Sequence, residues 1–300
     1  MNMTLLMTSI EQGLIFAVLA IGVFITYKLL DVADLSVEGT FPFGAFVFAK
    51  FISMGVNPLI STLMAFLFGT LAGLLTSIMF TKLKIKPLLS GILTMTILYS
   101  INLRINGKSN IPLFSYGSIY DLGLTILILA IIVLSIKVIM DLFLKTEIGY
   151  LLTATGDNEA LVKSLGENSN KYKIMGLMIS NGLVALSGAL MAQYQGFADI
   201  TMGSSIIVVA LASIIIGDTI KKNSNFIKGT TRAIIGAVIY KIIGGVAIDL
   251  GLNPNDLKAI NAIIVIAFIS YNNFAIDIFS IFRKKEGKES VENSKPIKEF

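Results

Sequence analysis

The stretch from Pro58 to Phe80 reads P-L-I-S-T-L-M-A-F-L-F-G-T-L-A-G-L-L-T-S-I-M-F and carries no charged residue. A helix of this length spans roughly 30 Å, the thickness of the hydrocarbon core of a bilayer. A helix on the surface of a water-soluble protein would carry a charged or polar face, whereas this stretch has no charge on any face. We therefore expect lipid or other helices to surround it, as in an integral membrane protein.

Similar apolar segments recur along the whole chain. Of its 300 residues, 55% are hydrophobic and only 14% are charged. The pattern predicts an all-α, polytopic transmembrane helix bundle of about eight to ten helices within residues 1–282. Nine segments are predicted, of which the second and seventh are short: Gly13–Leu30, Thr40–Ser53, Pro58–Phe80, Pro87–Leu103, Leu122–Leu144, Ile174–Gln195, Gly203–Gly217, Thr231–Ile248 and Leu257–Tyr271.

The residue types that most often carry catalysis are missing from the sequence. It contains no His and no Cys, and therefore lacks the commonest general base, the commonest metal ligand and any thiol. Neither an HExxH nor a GxSxG motif occurs, nor do paired carboxylates with a plausible base. We expect a protein that is not an enzyme and has no catalytic, metal-binding or cofactor-binding residue of its own.

Basic residues predict the orientation, because Lys and Arg are retained on the cytoplasmic side of a membrane. They cluster at 82–86, 145–173, 221–228 and 283–285, which alternate correctly with the predicted helices. The C-terminus is therefore expected in the cytoplasm. The last stretch, 283–300, mixes Lys, Glu and Ser without apolar periodicity, which predicts a disordered tail.

Two short motifs resemble each other in different halves of the chain. Ala33-Asp-Leu-Ser-Val-Glu-Gly39 precedes the second segment, and Ala198-Asp-Ile-Thr-Met-Gly203 precedes the seventh. The charge pattern orients these two short helices in opposite directions, as in inverted-repeat transporters, whose half-helix N-termini face the substrate path. The same residues are also ordinary helix caps, so both interpretations stay open. The repeat places the translocation path near Asp34, Ser36, Glu38, Gly39, Asp199, Thr201 and Gly203.

The longest polar interruption between apolar stretches is T-E-I-G-Y-L-L-T-A-T-G-D-N-E-A-L-V-K-S-L-G, from Thr146 to Gly166. Asp157 is a suitable N-cap, and Gly166 can close the helix that follows. Leu161, Val162 and Leu165 are predicted on one side of it. Such an amphipathic cytoplasmic helix needs a partner, which is either the membrane surface or a groove in another protein.

This loop, with Lys171 and Ser180-Asn-Gly-Leu-Val-Ala-Leu-Ser-Gly-Ala-Leu190 after it, resembles ATP-binding cassette importer permeases of the branched-chain amino acid and ribose type. Their pattern is T-x-x-G-x-x-x-x-A-x-G-x-N-x-A with a later L-x-G-x-L. Asp34-Leu-Ser-Val-Glu-Gly39 resembles their D-L-S-V-G turn, with Glu38 inserted. Lys86-Pro-Leu-Leu-Ser-Gly-Ile-Leu-Thr-Met-Thr96 resembles their P-F-I-A-T-L-x-T-M segment, with Ser90-Gly91 in place of Ala-Thr. Residues 31–42 also resemble a subgroup associated with aromatic amino acid uptake.

The resemblance implies a permease subunit that forms the translocation path for a small solute, an amino acid and more narrowly an aromatic one. It implies a multi-pass protein of the bacterial plasma membrane, paired with a second permease subunit in a homodimer or heterodimer. A separate ATPase subunit would bind ATP and Mg²⁺, and an extracytoplasmic solute-binding protein or lipoprotein would deliver the solute. No nucleic acid partner is implied. Within a coupling loop of about 145–173, the helix seated in the ATPase would comprise Gly156, Asp157, Asn158, Glu159, Ala160, Leu161, Leu165 and Gly166.

Two alternatives remain at this stage. The first is a carrier driven by an ion gradient, which would work without an ATPase. The absence of a central cluster of intramembrane acids counts against it, because proton relays are commonly built from such residues. The second is a membrane assembly subunit that transports nothing.

Overall fold

The computed structural model describes residues 3–121, 123–220 and 228–252, and a few positions between 259 and 270. The predicted segment Leu257–Tyr271 lies mostly outside the described residues, and the predicted tail at 283–300 lies wholly outside them.

Helices account for most of the described chain, which confirms the all-α prediction. They are α1 (Met3–Phe24, continued by a π-helical turn Ile25–Leu29), α2 (Val37–Ser53), α3 (Pro58–Thr81), α4 (Pro87–Asn106), α5 (Thr125–Phe143), α6 (Glu147–Asp157), α7 (Glu159–Ser164), α8 (Ser169–Gln195), α9 (Ile206–Ile220, after a 3₁₀ turn Ile200–Gly203) and α10 (Gly229–Asp249). Two strands that were not predicted, β1 (Asn110–Pro112) and β2 (Phe197–Asp199), form a small antiparallel ribbon.

Seven helical stretches of the described chain are long and apolar enough to cross a membrane. They are Met3–Leu29, Pro58–Thr81, Pro87–Asn106, Thr125–Phe143, Ser169–Gln195, Ile200–Thr219 and Gly229–Asp249. Helix α2 is short, as predicted. The molecule is a multi-pass membrane protein.

Local sequence explains where several of these helices begin and end. Pro58 and Pro87 stand at the first position of α3 and α4, where a missing N–H costs nothing. The side chain of Asn57 caps α3 by accepting a hydrogen bond from the backbone N–H of Leu59, at 2.9 Å. Gly107 and Gly196 close α4 and α8 in the left-handed conformation, with φ of 68° and 76°.

The packing relates two triplets of helices, α1–α2–α3 and α8–α9–α10. Helix α3 packs along α8, and α10 packs along α1, while α1 and α8 contact each other at the centre. Helix α1 runs antiparallel to α10, since Gly13 faces Val238 and Ser9 faces Gly245. Helix α3 likewise runs antiparallel to α8, since Gly69 faces Ala185 and Gly73 faces Leu177. The third helix of each triplet thus packs along the first helix of the other triplet, as expected for an inverted repeat.

Small residues allow close approach around α8, which is largely buried. A Cβ atom on Gly188 would collide with the carbonyl oxygen of Phe41, and one on Gly73 would collide with that of Leu177. Such contacts hold membrane helices together by van der Waals packing, since lipid supplies no hydrophobic driving force between them. The start of α2 is thereby held against the middle of α8.

Candidate functional site

A buried polar network fixes the segment that leads into α2. One carboxylate oxygen of Asp34 accepts hydrogen bonds from the backbone N–H of Ser36 at 2.9 Å and from its hydroxyl at 2.5 Å. The other accepts from the side-chain amide of Asn181, at 2.8 Å. The Asn181 carbonyl oxygen in turn accepts from the hydroxyl of Thr40, at 2.7 Å. All four residues are buried, so the network fastens the beginning of α2 to α8.

The second motif repeats this arrangement ahead of α9. The Asp199 carboxylate accepts from the backbone N–H of Thr201 at 2.8 Å, and from the Thr201 hydroxyl. Its other oxygen accepts from the side chain of Asn110, at 2.9 Å. Partial burial alone would raise the pKa of Asp199, but the hydrogen bonds from Thr201 and Asn110 lower the pKa below its ordinary value. Each motif therefore holds its Asp with the following hydroxyl residue and a distant Asn.

The N-termini of the two short helices meet directly. A Cβ atom on Gly203 would collide with the carbonyl oxygen of Glu38 and lie 2.7 Å from Cδ of Pro42. The sequence predicted that these two helix starts face a common path, and they are in contact. Glycine is required here because another backbone approaches too closely for any side chain.

A pocket of about 530 Å³ opens beside this contact, against the middle of α4. Three of the predicted path residues line it, namely Glu38, Gly39 and Thr201. Asp34, Ser36, Asp199 and Gly203 are not among its lining residues; they hold the two helix starts that form its wall. The remaining lining residues are Pro42, Met95, Thr96, Tyr99, Ser100, Asn102, Ile200 and Ser204.

The contribution of α4, and of Asn102 in particular, is not predicted by the sequence motifs. Asn102 is fully buried, and neither its amide nitrogen nor its amide oxygen has a hydrogen-bond partner within the described part of the chain. The only available signal was a lone Asn in an apolar segment. In membrane helices that signal indicates helix–helix hydrogen bonding as readily as a binding site.

The coupling loop differs from prediction in its helix boundaries. One helix starting at Asp157 was expected, whereas the chain forms α6 up to Asp157 and a separate α7 from Glu159. The N-cap is Asn158, whose side chain accepts from the backbone N–H of Leu161 at 3.1 Å. Gly156 and Asp157 therefore belong to the preceding helix. Gly166, with φ of 82°, closes the short helix as expected.

The predicted apolar side of α7 is also divided. Leu161 and Leu165 are 51% and 65% exposed, and Ala160 is exposed beside them. Val162, by contrast, is fully buried against the bundle. Val162 is therefore turned towards the bundle, whereas Leu161 and Leu165 are turned away from it. We call Ala160, Leu161 and Leu165 the exposed face of α7.

Glu159 anchors α7 to the start of α8. Its carboxylate accepts from Lys173 at 2.7 Å, from Lys163 at 2.9 Å and from the hydroxyl of Ser169 at 2.8 Å. The hydrogen bonds from Lys173, Lys163 and Ser169 lower the pKa of Glu159 to about 2. The carboxylate is therefore charged at neutral pH, and it fixes α7 with its exposed face turned away from the bundle.

Helix α6 contacts the membrane helices at the end of α1. A Cβ atom on Gly156 would collide with the carbonyl oxygen of Leu29, in the π-helical turn that ends α1. Leu30, the next residue, packs its side chain against Gly176 of α8. The chain then runs from Leu30 into Asp34 and the polar network at the start of α2. These contacts and the chain itself thus connect α6 with the start of α2.

No group of three or more metal-ligating side chains occurs within the residues that the structure describes. The pocket beside α4 and the exposed face of α7 are the two features that the sequence motifs and the geometry single out together.

Comparison with known proteins places the chain among transport proteins. Residues 5–270 match the family described as branched-chain amino acid transport system / permease component. A tyrosine transport system permease protein of Clostridioides difficile is 50% identical over 89% of this chain and 91% of its own length. A ribose import permease protein of Haemophilus influenzae is 25% identical over 88% of this chain and 84% of its own length.

An uncharacterized protein of Rickettsia prowazekii is 38% identical over 89% of this chain and 98% of its own length. No solved structure matches the chain at a significant level. The family match covers nearly all the described helices, including both repeated motifs and the loop at 146–166. The chain therefore belongs to the branched-chain amino acid and ribose type of ATP-binding cassette importer permeases.

Proposed function

We propose that the chain is the permease subunit of an importer that carries an aromatic amino acid, with L-tyrosine as the first substrate to test. The observation that carries this proposal is the 50% identity to a tyrosine transport system permease protein over nearly the whole length of both chains. The relatives with sugar import names are only about half as similar. The chain itself supplies the translocation path, and a separate ATPase supplies the energy.

The coupling to the ATPase runs through the exposed face of α7. Leu161 and Leu165 are exposed there. Glu159 holds the helix that carries them in one orientation through its contacts with Ser169 and Lys173. Exposed leucines on a rigidly held helix fit a groove in a partner protein, where burial stabilises the complex. The groove belongs to the cytoplasmic ATPase, which binds ATP and Mg²⁺. An extracytoplasmic binding protein delivers the solute, and two permease subunits pair as a homodimer with cytoplasmic C-termini.

Import then follows from contacts that differ between two states of the assembly. Closure of the ATPase pushes α6 and α7, and the contact of Gly156 with Leu29 passes the displacement to α1 and to the start of α2. Only a partner that contacts the two states differently can shift their equilibrium. The start of α2 moves together with α8, because Asp34 accepts hydrogen bonds both from Ser36 and from Asn181 of α8.

Reconstitution into liposomes tests this function against the two alternatives. The permease, its ATPase and its loaded binding protein should accumulate L-tyrosine only when MgATP is present with the ATPase. Accumulation by the isolated permease under a proton or sodium gradient would show an ion-driven carrier instead. Undiminished uptake by cells that lack the permease would show an assembly subunit that transports nothing.

A further inference from the structure

Asn102 is an unusual residue in the wall of the pocket beside α4. Its side chain is fully buried, yet its donor and its acceptor both lack partners within the described residues. Leaving a buried amide unpaired lowers stability, and a leucine at the same place would avoid that cost. The presence of the unpaired Asn102 amide, despite its cost in stability, is best explained by a ligand that forms hydrogen bonds with it during function.

The pocket offers a second polar group, the carboxyl group of Glu38. Glu38 lines it from the first turn of α2, and none of the described lining residues is basic. A carboxylate has about four lone-pair sites, so Glu38 can receive an ammonium group alongside the interactions it already makes. The pocket is therefore suited to a ligand with a positive group.

Apolar surface completes the lining. Pro42, Met95 and Tyr99 contribute carbon-rich walls next to the two polar groups. The volume of about 530 Å³ lies within the range of roughly 300–1,000 Å³ that is usual for small-molecule sites. Four hydroxyl residues, Thr96, Ser100, Thr201 and Ser204, also line the pocket. Among these groups, one acid, one amide and an apolar wall match the three parts of an amino acid with an apolar or aromatic side chain.

We infer that Asn102 and Glu38 form a subsite that holds the zwitterionic head of an amino acid in the translocation path. The Asn102 side-chain N–H donates to the α-carboxylate, and the Glu38 carboxylate accepts from the α-ammonium group. The side chain of the solute lies against Pro42, Met95 and Tyr99. This inference rests on the proposed function, and it adds the residues that hold the amino acid in the path.

The test substitutes Asn102→Leu in the assembled importer, supplied with saturating tyrosine-loaded binding protein. We expect the uptake of radiolabelled L-tyrosine per ATP hydrolysed to fall at least tenfold. ATP hydrolysis should stay within twofold of the unaltered importer, and the thermal unfolding midpoint should be unchanged or higher. A role in packing alone would lower the midpoint and leave the uptake per ATP unchanged.

Asn106→Leu is the matched control on the same helix. Asn106 donates to the carbonyl oxygen of Phe46 at 3.0 Å and does not line the pocket. Its substitution should lower the unfolding midpoint and leave the uptake per ATP unchanged, which is the opposite result. Unaltered uptake per ATP in Asn102→Leu would overturn the subsite. Absence of ATP-dependent uptake by the unaltered importer would instead overturn the proposed function.

A second measurement applies if Asn102→Leu fails to fold. The chain has no native cysteine, so Ser100→Cys, at an exposed position in the same pocket lining, introduces its single thiol, and the partner proteins can be made free of cysteine. During turnover, saturating L-tyrosine should slow the reaction of this thiol with a methanethiosulfonate reagent at least threefold, whereas ribose should not. Equal labelling rates with and without L-tyrosine would contradict the subsite.

Discussion

Gly203 lies directly against the backbone carbonyl of Glu38, so that the N-termini of two oppositely directed short helices touch. This contact joins the two halves of the molecule at the edge of the proposed path. Its closeness explains why a glycine ends the second repeated motif, and it makes the pocket geometry sensitive to a single added carbon atom.

Substituting Gly203→Ala should therefore destabilise the protein. The added Cβ collides with the Glu38 carbonyl and approaches Pro42, and overpacking of this kind costs about 1–3 kcal/mol. The measurement is the thermal unfolding midpoint of the purified permease in detergent. Gly244→Ala in α10 is the control, because a Cβ there meets no described atom within 4 Å. That control should be neutral or stabilising by about 0.5–1 kcal/mol. Equal effects at both positions would contradict the described contact.

The buried network predicts that Asn181 and Asp34 act together. Asn181→Ala removes the donor to Asp34 and the acceptor for Thr40, leaving buried groups unpaired at a cost of about 1–3 kcal/mol. Combined with Asp34→Ala, the loss should be smaller than the sum of the single losses, by about 0.5–3 kcal/mol. Unfolding of the three variants in denaturant measures this coupling.

Ser180→Ala is the control for that pair, since the Ser180 hydroxyl is buried beside Asn181 but has no partner in the described chain. Its removal should leave stability unchanged or raise it. Strict additivity of the Asp34 and Asn181 effects would show that the two side chains do not interact.

The junction of α7 and α8 should depend on pH through Glu159. Its pKa in the folded protein is about 2, below the ordinary value of 4.5. A lowered pKa stabilises the folded state above pH 4.5, and that contribution is lost as the pH falls towards 2. Glu159→Gln should therefore lower the unfolding midpoint at pH 7, and its difference from the unaltered protein should shrink between pH 4.5 and 2.

Glu147→Gln, at an exposed site in the first turn of α6, is the control variant, and its unfolding midpoint is measured over the same pH range. A difference between Glu159→Gln and the unaltered protein that stays constant from pH 7 to pH 2 would be inconsistent with the described ion pairs.

Much of the fold follows from sequence because spanning helices depend on local composition. Long uncharged runs such as Pro58–Phe80, bounded by Pro or Gly, left little freedom in where α3 and α4 begin. The match between the two repeated motifs was also visible, since each pairs an Asp with a hydroxyl residue two positions later.

The partners of those motifs were not predictable in the same way. Asn181 is separated from Asp34 by 147 positions, and only the folded bundle brings them together. Asn102 stands out because its buried side chain lacks a hydrogen-bond partner in the described chain, and no sequence pattern shows such a lack. The error at α7 has a simple cause: Asp157 and Asn158 are both good caps, and a shift of one residue rotates a helix by about 100°.

The exposed face of α7 can be altered by a single substitution in the reconstituted importer. Leu161→Asp places a charge where the ATPase groove should bind, without disturbing Val162, which is buried beside it. In the reconstituted importer, we predict that ATP-driven L-tyrosine uptake falls at least tenfold while the unfolding midpoint of the permease changes little, because surface substitutions rarely exceed about 0.5 kcal/mol. Normal ATP-driven uptake by Leu161→Asp would contradict the central claim that this helix receives the force of the ATPase.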